Sequence, residues 1–129
     1  MSEAPPFTAI DHVQLAMPAG EEGRARRFFV EILGMRELEK PAELRARGGA
    51  WFASGDVQLH LGVDPDFRPA MKAHVALRCA HLVDLRHRLE DAGHAVSDVT
   101  AFGGGLHAYV DDPFGNRIEL IGAAGGETH

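Results

Sequence analysis

The residues best suited to chemistry are His12 and Gln58 in the first half of the chain and His74 and Glu119 in the second. The separation of His12 from Gln58 matches that of His74 from Glu119 to within one residue. Two imidazoles and a carboxylate form an open N2O donor set that suits Fe(II), and also Zn, Ni or Mn once a further oxygen ligand is added. Gln58 offers a neutral amide oxygen, a weaker donor that could instead position a water or a substrate. His60 could be a fourth ligand, a general base or a hydrogen-bonded wall residue, and a reference pKa of about 6.5 leaves the second role chemically open.

These side chains need strands to aim them. Residues 10–17 alternate Val13, Leu15 and Met17 with His12, Gln14 and Ala16, the pattern of a strand with two different faces. If the apolar set covers a helix, His12 points the other way. From Glu21 the period changes: Ala25, Phe28, Phe29, Ile32 and Leu33 line one side of an amphipathic helix that Gly34 ends. Residues 35–38, 49–53 and 57–63 read as three short strands, with Ser54-Gly55-Asp56 as a tight turn. A proline- and aspartate-rich connector, Asp64-Pro65-Asp66-Phe67-Arg68-Pro69, follows. The order then repeats: a strand at 73–79, a helix at 82–92 closed by Gly93, and strands at 95–99, 106–110 and 116–121. Gln58, His60 and Glu119 fall on the same strand faces as the two histidines.

The expected fold class is therefore α+β, with two tandem βαβββ modules, at about 8–63 and 72–121, forming a curved mixed sheet around a cavity. The Gly- and Ala-rich tail, 122–129, is expected to fray. Other residues take plainer roles. Trp51 and Phe52 are adjacent and must face opposite ways, so one lines the cavity and Trp51 is a candidate substrate contact. Arg78 shares the inner face with His74, where an unpaired guanidinium is costly, so an acidic partner or an anionic substrate is expected there. His81, His87, His94 and His107 are expected at the surface. Cys79 falls on the helix-facing side as a packed, inert thiol. Gly103-Gly104-Gly105 lacks the context of a phosphate loop and reads as a flexible loop.

With 129 residues, 45% of them hydrophobic and 25% charged, the chain fits one globular domain. Its single cysteine rules out an internal disulfide scaffold. A net charge of −6 works against nucleic-acid binding, and the cluster Arg24, Arg26 and Arg27 reads as a solvated helix face. The start Met1-Ser2-Glu3-Ala4-Pro5-Pro6 lacks the features of a signal peptide, and no stretch approaches the ~20 apolar residues that span a bilayer. A cytoplasmic location without membrane partners is expected.

Asp11-His12-Val13-Gln14-Leu15, the helix end Leu33-Gly34-Met35 and the closing run Asp112-Pro113-Phe114-Gly115-Asn116-Arg117-Ile118-Glu119-Leu120 carry a resemblance. Over residues 8–121 the chain is similar to the vicinal oxygen chelate superfamily, which includes glyoxalases, bleomycin-resistance proteins and extradiol dioxygenases. The resemblance implies that His12, Gln58, His74 and Glu119 hold a divalent metal ion. It also implies a lyase or isomerase acting on a small substrate with adjacent oxygens, with Glu119 or His60 as catalytic base. Two alternatives stay open: an Fe(II) extradiol-type dioxygenase and a metal-free drug- or metabolite-binding protein. A homodimer is expected, because in the family modules pair between subunits as well as within one chain.

Overall fold

A computed structural model describes residues 4–123. The chain runs through β1 (Val13–Met17), α1 (Glu22–Arg26), which continues as a π-helical stretch (Arg27–Ile32), then β2 (Arg36–Leu38), α2 (Ala42–Arg45), β3 (Ala50–Ser54) and β4 (Val57–Val63). The second half supplies β5 (Val75–Arg78), α3 (Leu82–Asp91), β6 (Thr100–Phe102), β7 (Gly105–Asp111) and β8 (Arg117–Ala123). The strands form two four-stranded mixed sheets in the orders β1-β4-β3-β2 and β5-β8-β7-β6. In each, the first and last strands of the module pair in parallel and the remaining pairs are antiparallel. Each module thus builds its own open sheet, and among the described residues no ladder joins the two sheets into one.

The faces sort as alternation demands. On the helix side of the first sheet, Met17, Phe52, Leu59 and Leu61 are buried against Phe28 and Phe29, and the Phe29 and Phe52 rings stack at 5.2 Å. On the second, Ala108, Val110, Ile118 and Leu120 are buried with Leu82 and Leu89 of α3. All belong to one apolar cluster, so the modules share a core although they share no sheet. Burying each large side chain contributes about 1.5–3 kcal/mol.

Two glycines answer specific backbone demands. Gly34, at φ +77, ends the first helix in the left-handed region. Gly49, at φ +85, lets the chain enter β3 so close to β4 that a Cβ would stand 2.1 Å from the Leu61 carbonyl oxygen.

Several element boundaries differ from expectation. Pairing in β1 begins only at Val13, because Ile10 lies exposed outside the ladder. Residues 95–99 do not form a strand: only Val96 bridges Val110, and the Ser97 hydroxyl accepts the Tyr109 N–H that would have joined a ladder. The edge strand is Thr100–Phe102 instead, so the glycines at 103–105 form a hairpin turn and open β7. A short helix over Ala42–Arg45 follows Pro41, whose φ of −53° suits the entry to a helix. Gly122 and Ala123, expected to fray, complete β8 opposite Leu106 and Gly105, while 124–129 lie outside the described residues.

The modules are tied by polar contacts concentrated at the β7–β8 turn. Asn116 Nδ2 donates to the Ala16 carbonyl on β1 at 2.8 Å and to Asp112 Oδ2 at 2.8 Å. Arg24 donates to the Pro113 carbonyl at 2.9 Å, and Arg88 of α3 donates to the Ile32 carbonyl at 2.5 Å. Asn116→Ala would remove the side-chain donor to the Ala16 carbonyl and to Asp112 Oδ2, an expected cost of about 1–3 kcal/mol. Urea unfolding should show a lower midpoint with an unchanged slope; an unchanged midpoint would remove Asn116 from the inter-module tie.

Candidate metal and substrate site

Two polar clusters lie on the faces opposite the core, one per sheet. On the first, β3 and β4 place Trp51 directly opposite His60. The two rings lie 4.1 Å apart at 8°, and His12, which immediately precedes β1, stacks on His60 at 3.9 Å and 11°. Phe52 occupies the core face, so Trp51 is the member of the pair that faces the site. Gln58 and His60 lie two residues apart on one strand face, with His60 Nε2 3.1 Å from Gln58 Oε1. Burial, followed by the neighbouring His12, holds the pKa of His60 below its ordinary value, which keeps it neutral near pH 7. His12 Nδ1 meets Asp11 Oδ1 at 2.8 Å, leaving Nε2 as the atom able to bind a ligand.

On the second sheet, β8 carries Glu119 between Ala76 of β5 and Tyr109 of β7. His74, just before β5, places Nε2 2.9 Å from Glu119 Oε1, while its Nδ1–H donates to the Lys72 carbonyl at 2.8 Å. His107 on β7 reaches Glu119 Oε2 through Nδ1 at 2.5 Å and the Phe102 carbonyl through Nε2 at 3.1 Å. The Phe102 ring stacks on His107 at 3.5 Å. The Arg117 guanidinium sits 4.2 Å above the Tyr109 ring. Glu119 is thus held below the usual carboxylate range, first by His107 and then by His74. The Lys72 carbonyl, and after it Glu119, raises His74.

The donor chemistry suits a cation. With Nδ1–H committed to a carbonyl, a neutral His74 presents a lone pair at Nε2 to another lone-pair atom, Oε1. Such a contact calls for positive charge, supplied by a proton or a divalent ion. A backbone carbonyl on the far nitrogen is also the arrangement that fixes the tautomer of metal-binding histidines. The four expected ligands are nevertheless split: His12 and Gln58 belong to the first sheet, His74 and Glu119 to the second. Among the described residues, no group of three or more His, Cys, Asp or Glu side chains converges to hold an ion.

Nor does a described cavity enclose His74 or Glu119. One of about 850 Å³ reaches this face at Tyr109, Asp111 and Arg117, and another of about 440 Å³ is lined by Leu77, Cys79 and Leu120.

Two further expectations change. Arg78 is exposed, so water solvates its guanidinium and the burial argument for an acidic partner does not apply. His107 is not a surface residue but is 8% exposed and bonded to Glu119. Alternation would have revealed it, because Leu106, Ala108 and Val110 face the core and leave His107 and Tyr109 beside Glu119.

Two four-stranded βαβββ modules with histidine, glutamine and glutamate on the faces opposite a shared core define an α+β class of protein built from a duplicated unit. The family model for the Glyoxalase/Bleomycin resistance protein/Dioxygenase superfamily matches residues 9–120, and the chain belongs to that superfamily. A glyoxalase family protein of Bacillus anthracis is 41% identical, with 94% of this chain and 99% of that one covered and a TM-score of 0.89. TnmS3, an antibiotic binding protein from Streptomyces sp. CB03234, is 28% identical over 91% of this chain and 99% of its own, with a TM-score of 0.70. The fosfomycin resistance protein FosX of Listeria monocytogenes shares the fold at 13% identity, 91% and 94% coverage and a TM-score of 0.72. No curated protein matches the chain. Among the described residues, no helix is long and apolar enough to cross a membrane.

The pairing of His74 with Glu119 makes the ion-free protein's stability depend on pH. The raised pKa of His74 gives a contribution fully present below its unfolded value and lost as pH rises through the folded one. The lowered pKa of Glu119 gives one present above its unfolded value and lost as pH falls through the folded one. In chelator, the Tm advantage of wild type over His74→Asn should therefore be widest near about pH 5.5, below the ordinary histidine pKa, and narrow towards alkaline pH. A constant gap across that range would exclude charge pairing at His74.

Proposed function

We propose that the protein is a divalent-metal-dependent lyase or isomerase acting on a small substrate with adjacent oxygens. We propose further that it works as a cytoplasmic homodimer whose site is completed across two chains. The observation that carries this reading is the His74–Glu119 pair, with Nδ1 on the Lys72 carbonyl at 2.8 Å and Nε2 facing Oε1 at 2.9 Å. His12 shares one part of the arrangement, its Nδ1 being engaged by the Asp11 carboxylate at 2.8 Å. In the dimer, His12 and Gln58 of one protomer complete the donor set begun by His74 and Glu119 of the partner subunit. Zn, Ni, Mn or Fe held there supplies Lewis acidity to the substrate oxygens.

The chain's own residues do the rest. His60, neutral and hydrogen-bonded to Gln58, is suited to take a proton from the substrate, and Glu119 is the other candidate base. Trp51 forms a flat wall beside it. Arg78, exposed on β5 in the chain segment that follows His74, is assigned to an anionic group of the substrate.

A second reading, a metal-free binding protein, is favoured by the Trp51–His60–His12 ring stack, which offers a surface to a planar ligand. The likeness to the antibiotic binding protein TnmS3 points the same way.

Elemental analysis of protein purified without chelator should find about one divalent ion per site, and none in His74→Ala, whose loss leaves the donor set incomplete. A metal-free wild type would select the binding-protein reading, and bound iron would move the chemistry towards an extradiol-type dioxygenase. Mixing His12→Ala with Glu119→Ala protein, after dissociation and reassociation, should restore metal binding towards half the wild-type level. Verified heterodimers without recovery would show that each chain builds its own site.

A further inference from the structure

We infer that the cavity of about 850 Å³ at the junction of the modules binds a small organic anion, a phosphate ester or carboxylate with an apolar body. It draws on none of the residues assigned above to metal or to proton transfer. The first helix, the chain just after α3, the end of the connector and the β7–β8 turn bound it. Its volume falls within the range of about 300–1,000 Å³ in which small organic ligands are held.

The charge of this cavity runs against that of the chain. Acidic residues outnumber Lys and Arg by 19 to 13, yet Arg24, Arg27 and Arg117 all line it. The cluster Arg24, Arg26 and Arg27, expected to be a solvated helix face, is divided by the structure. Arg26 pairs with Glu37 at 2.7 Å and lies outside the lining. Arg24 is fixed by Glu21 and the Pro113 carbonyl, each at 2.9 Å, and lies over the Phe114 ring at 5.3 Å. Arg27 makes no hydrogen bond or ion pair among the described residues. Arg117 rests on the Tyr109 ring 4.2 Å away and, among the described residues, pairs with no carboxylate. Two guanidiniums on one cavity thus lack a counter-charge.

The carboxylates of the same lining do not supply it. Asp112 is buried, and its oxygens accept the Phe114 and Asn116 N–H groups and the Asn116 side-chain amide. Asp111 stands opposite Arg117 in the β7–β8 register but forms no ion pair with it. A planar guanidinium offers paired N–H donors that match a carboxylate or phosphate. The rest of the lining calls for more than an inorganic ion. Phe28 and Val110 give it a buried apolar side, and Met71 is 94% exposed. An organic body covers that apolar surface, whereas a bare oxyanion leaves it in water.

The test titrates the full-length protein with phenyl phosphate, benzoate and inorganic phosphate, followed by calorimetry. At least one organic anion should bind equally well to wild type and to His74→Ala, and inorganic phosphate should bind several-fold more weakly. Arg27→Gln and Arg117→Gln should each weaken binding roughly 10-fold, the scale of one lost charge-assisted hydrogen bond. Arg26→Gln removes the same charge from outside the cavity and should leave affinity unchanged, and Asp111→Asn should tighten it. Tighter binding of phenyl phosphate assigns a phosphate ester, and tighter binding of benzoate a carboxylate. Binding of neither organic anion, equal losses in Arg26→Gln and Arg27→Gln, or binding abolished in His74→Ala would overturn the inference. Inorganic phosphate held as tightly as phenyl phosphate would overturn the organic body. Should an arginine variant not fold, the Nε–H signals of wild-type Arg27 and Arg117 decide: both should shift on titration, and shifts confined to other residues overturn the site.

Discussion

One buried carboxylate organises the half of the molecule that carries Glu119. Asp112 Oδ1 accepts the backbone N–H of Phe114 and of Asn116, each at 2.9 Å, and Oδ2 accepts Asn116 Nδ2 at 2.8 Å. Burial pushes Asp112 upward against the pull of those donors, so the turn survives because its acceptor oxygens are answered from within. The closed turn sets the register of β7 on β8, which puts Tyr109 opposite Glu119 and His107 opposite Ile121. Through the same Asn116 amide it also reaches Ala16 on β1, a hundred residues earlier in the chain. A single turn thereby aims the carboxylate and joins the modules.

Much of the fold was legible because its signals are local. Alternation at Val13, Leu15 and Met17 and at Ile118 and Leu120 identifies the core faces, and the helical spacing of Ala25, Phe28 and Phe29 identifies the side that covers them. Legibility failed where a side chain replaced a backbone partner. Ser97 takes the Tyr109 N–H, so a stretch with strand-like composition runs beside β7 almost without a ladder. The paired edge strand, Thr100–Phe102, is exposed throughout and carries no hydrophobic pattern to announce it.

For the candidate site, the strand placement of each residue was legible one at a time, but not how they assemble. His12, Gln58, His74 and Glu119 all lie on or beside the strands expected to carry them. Which of them meet depends on how two sheets sit in space, and strand periodicity holds no such information. Here His12 finds His60 and Asp11, while Glu119 finds His74 and His107. Identifying Trp51 as the site-facing ring required the register in which it lies opposite His60.

The first helix holds a further lesson in its widened turn. Over Arg27–Ile32 the chain winds as a π-helix, and the Leu33 N–H reaches back five residues to the Phe28 carbonyl. Such a turn is an α-helix carrying one residue too many. Excising a residue from the stretch would tighten the winding and rotate everything beyond it by about 100°. The Phe28–Phe29 doublet is buried within the widened stretch, so the extra residue works as a phase shifter between the helix entry at Glu22 and the exit at Gly34. An insertion of this kind leaves no compositional trace, yet it decides which side of the helix the first sheet meets.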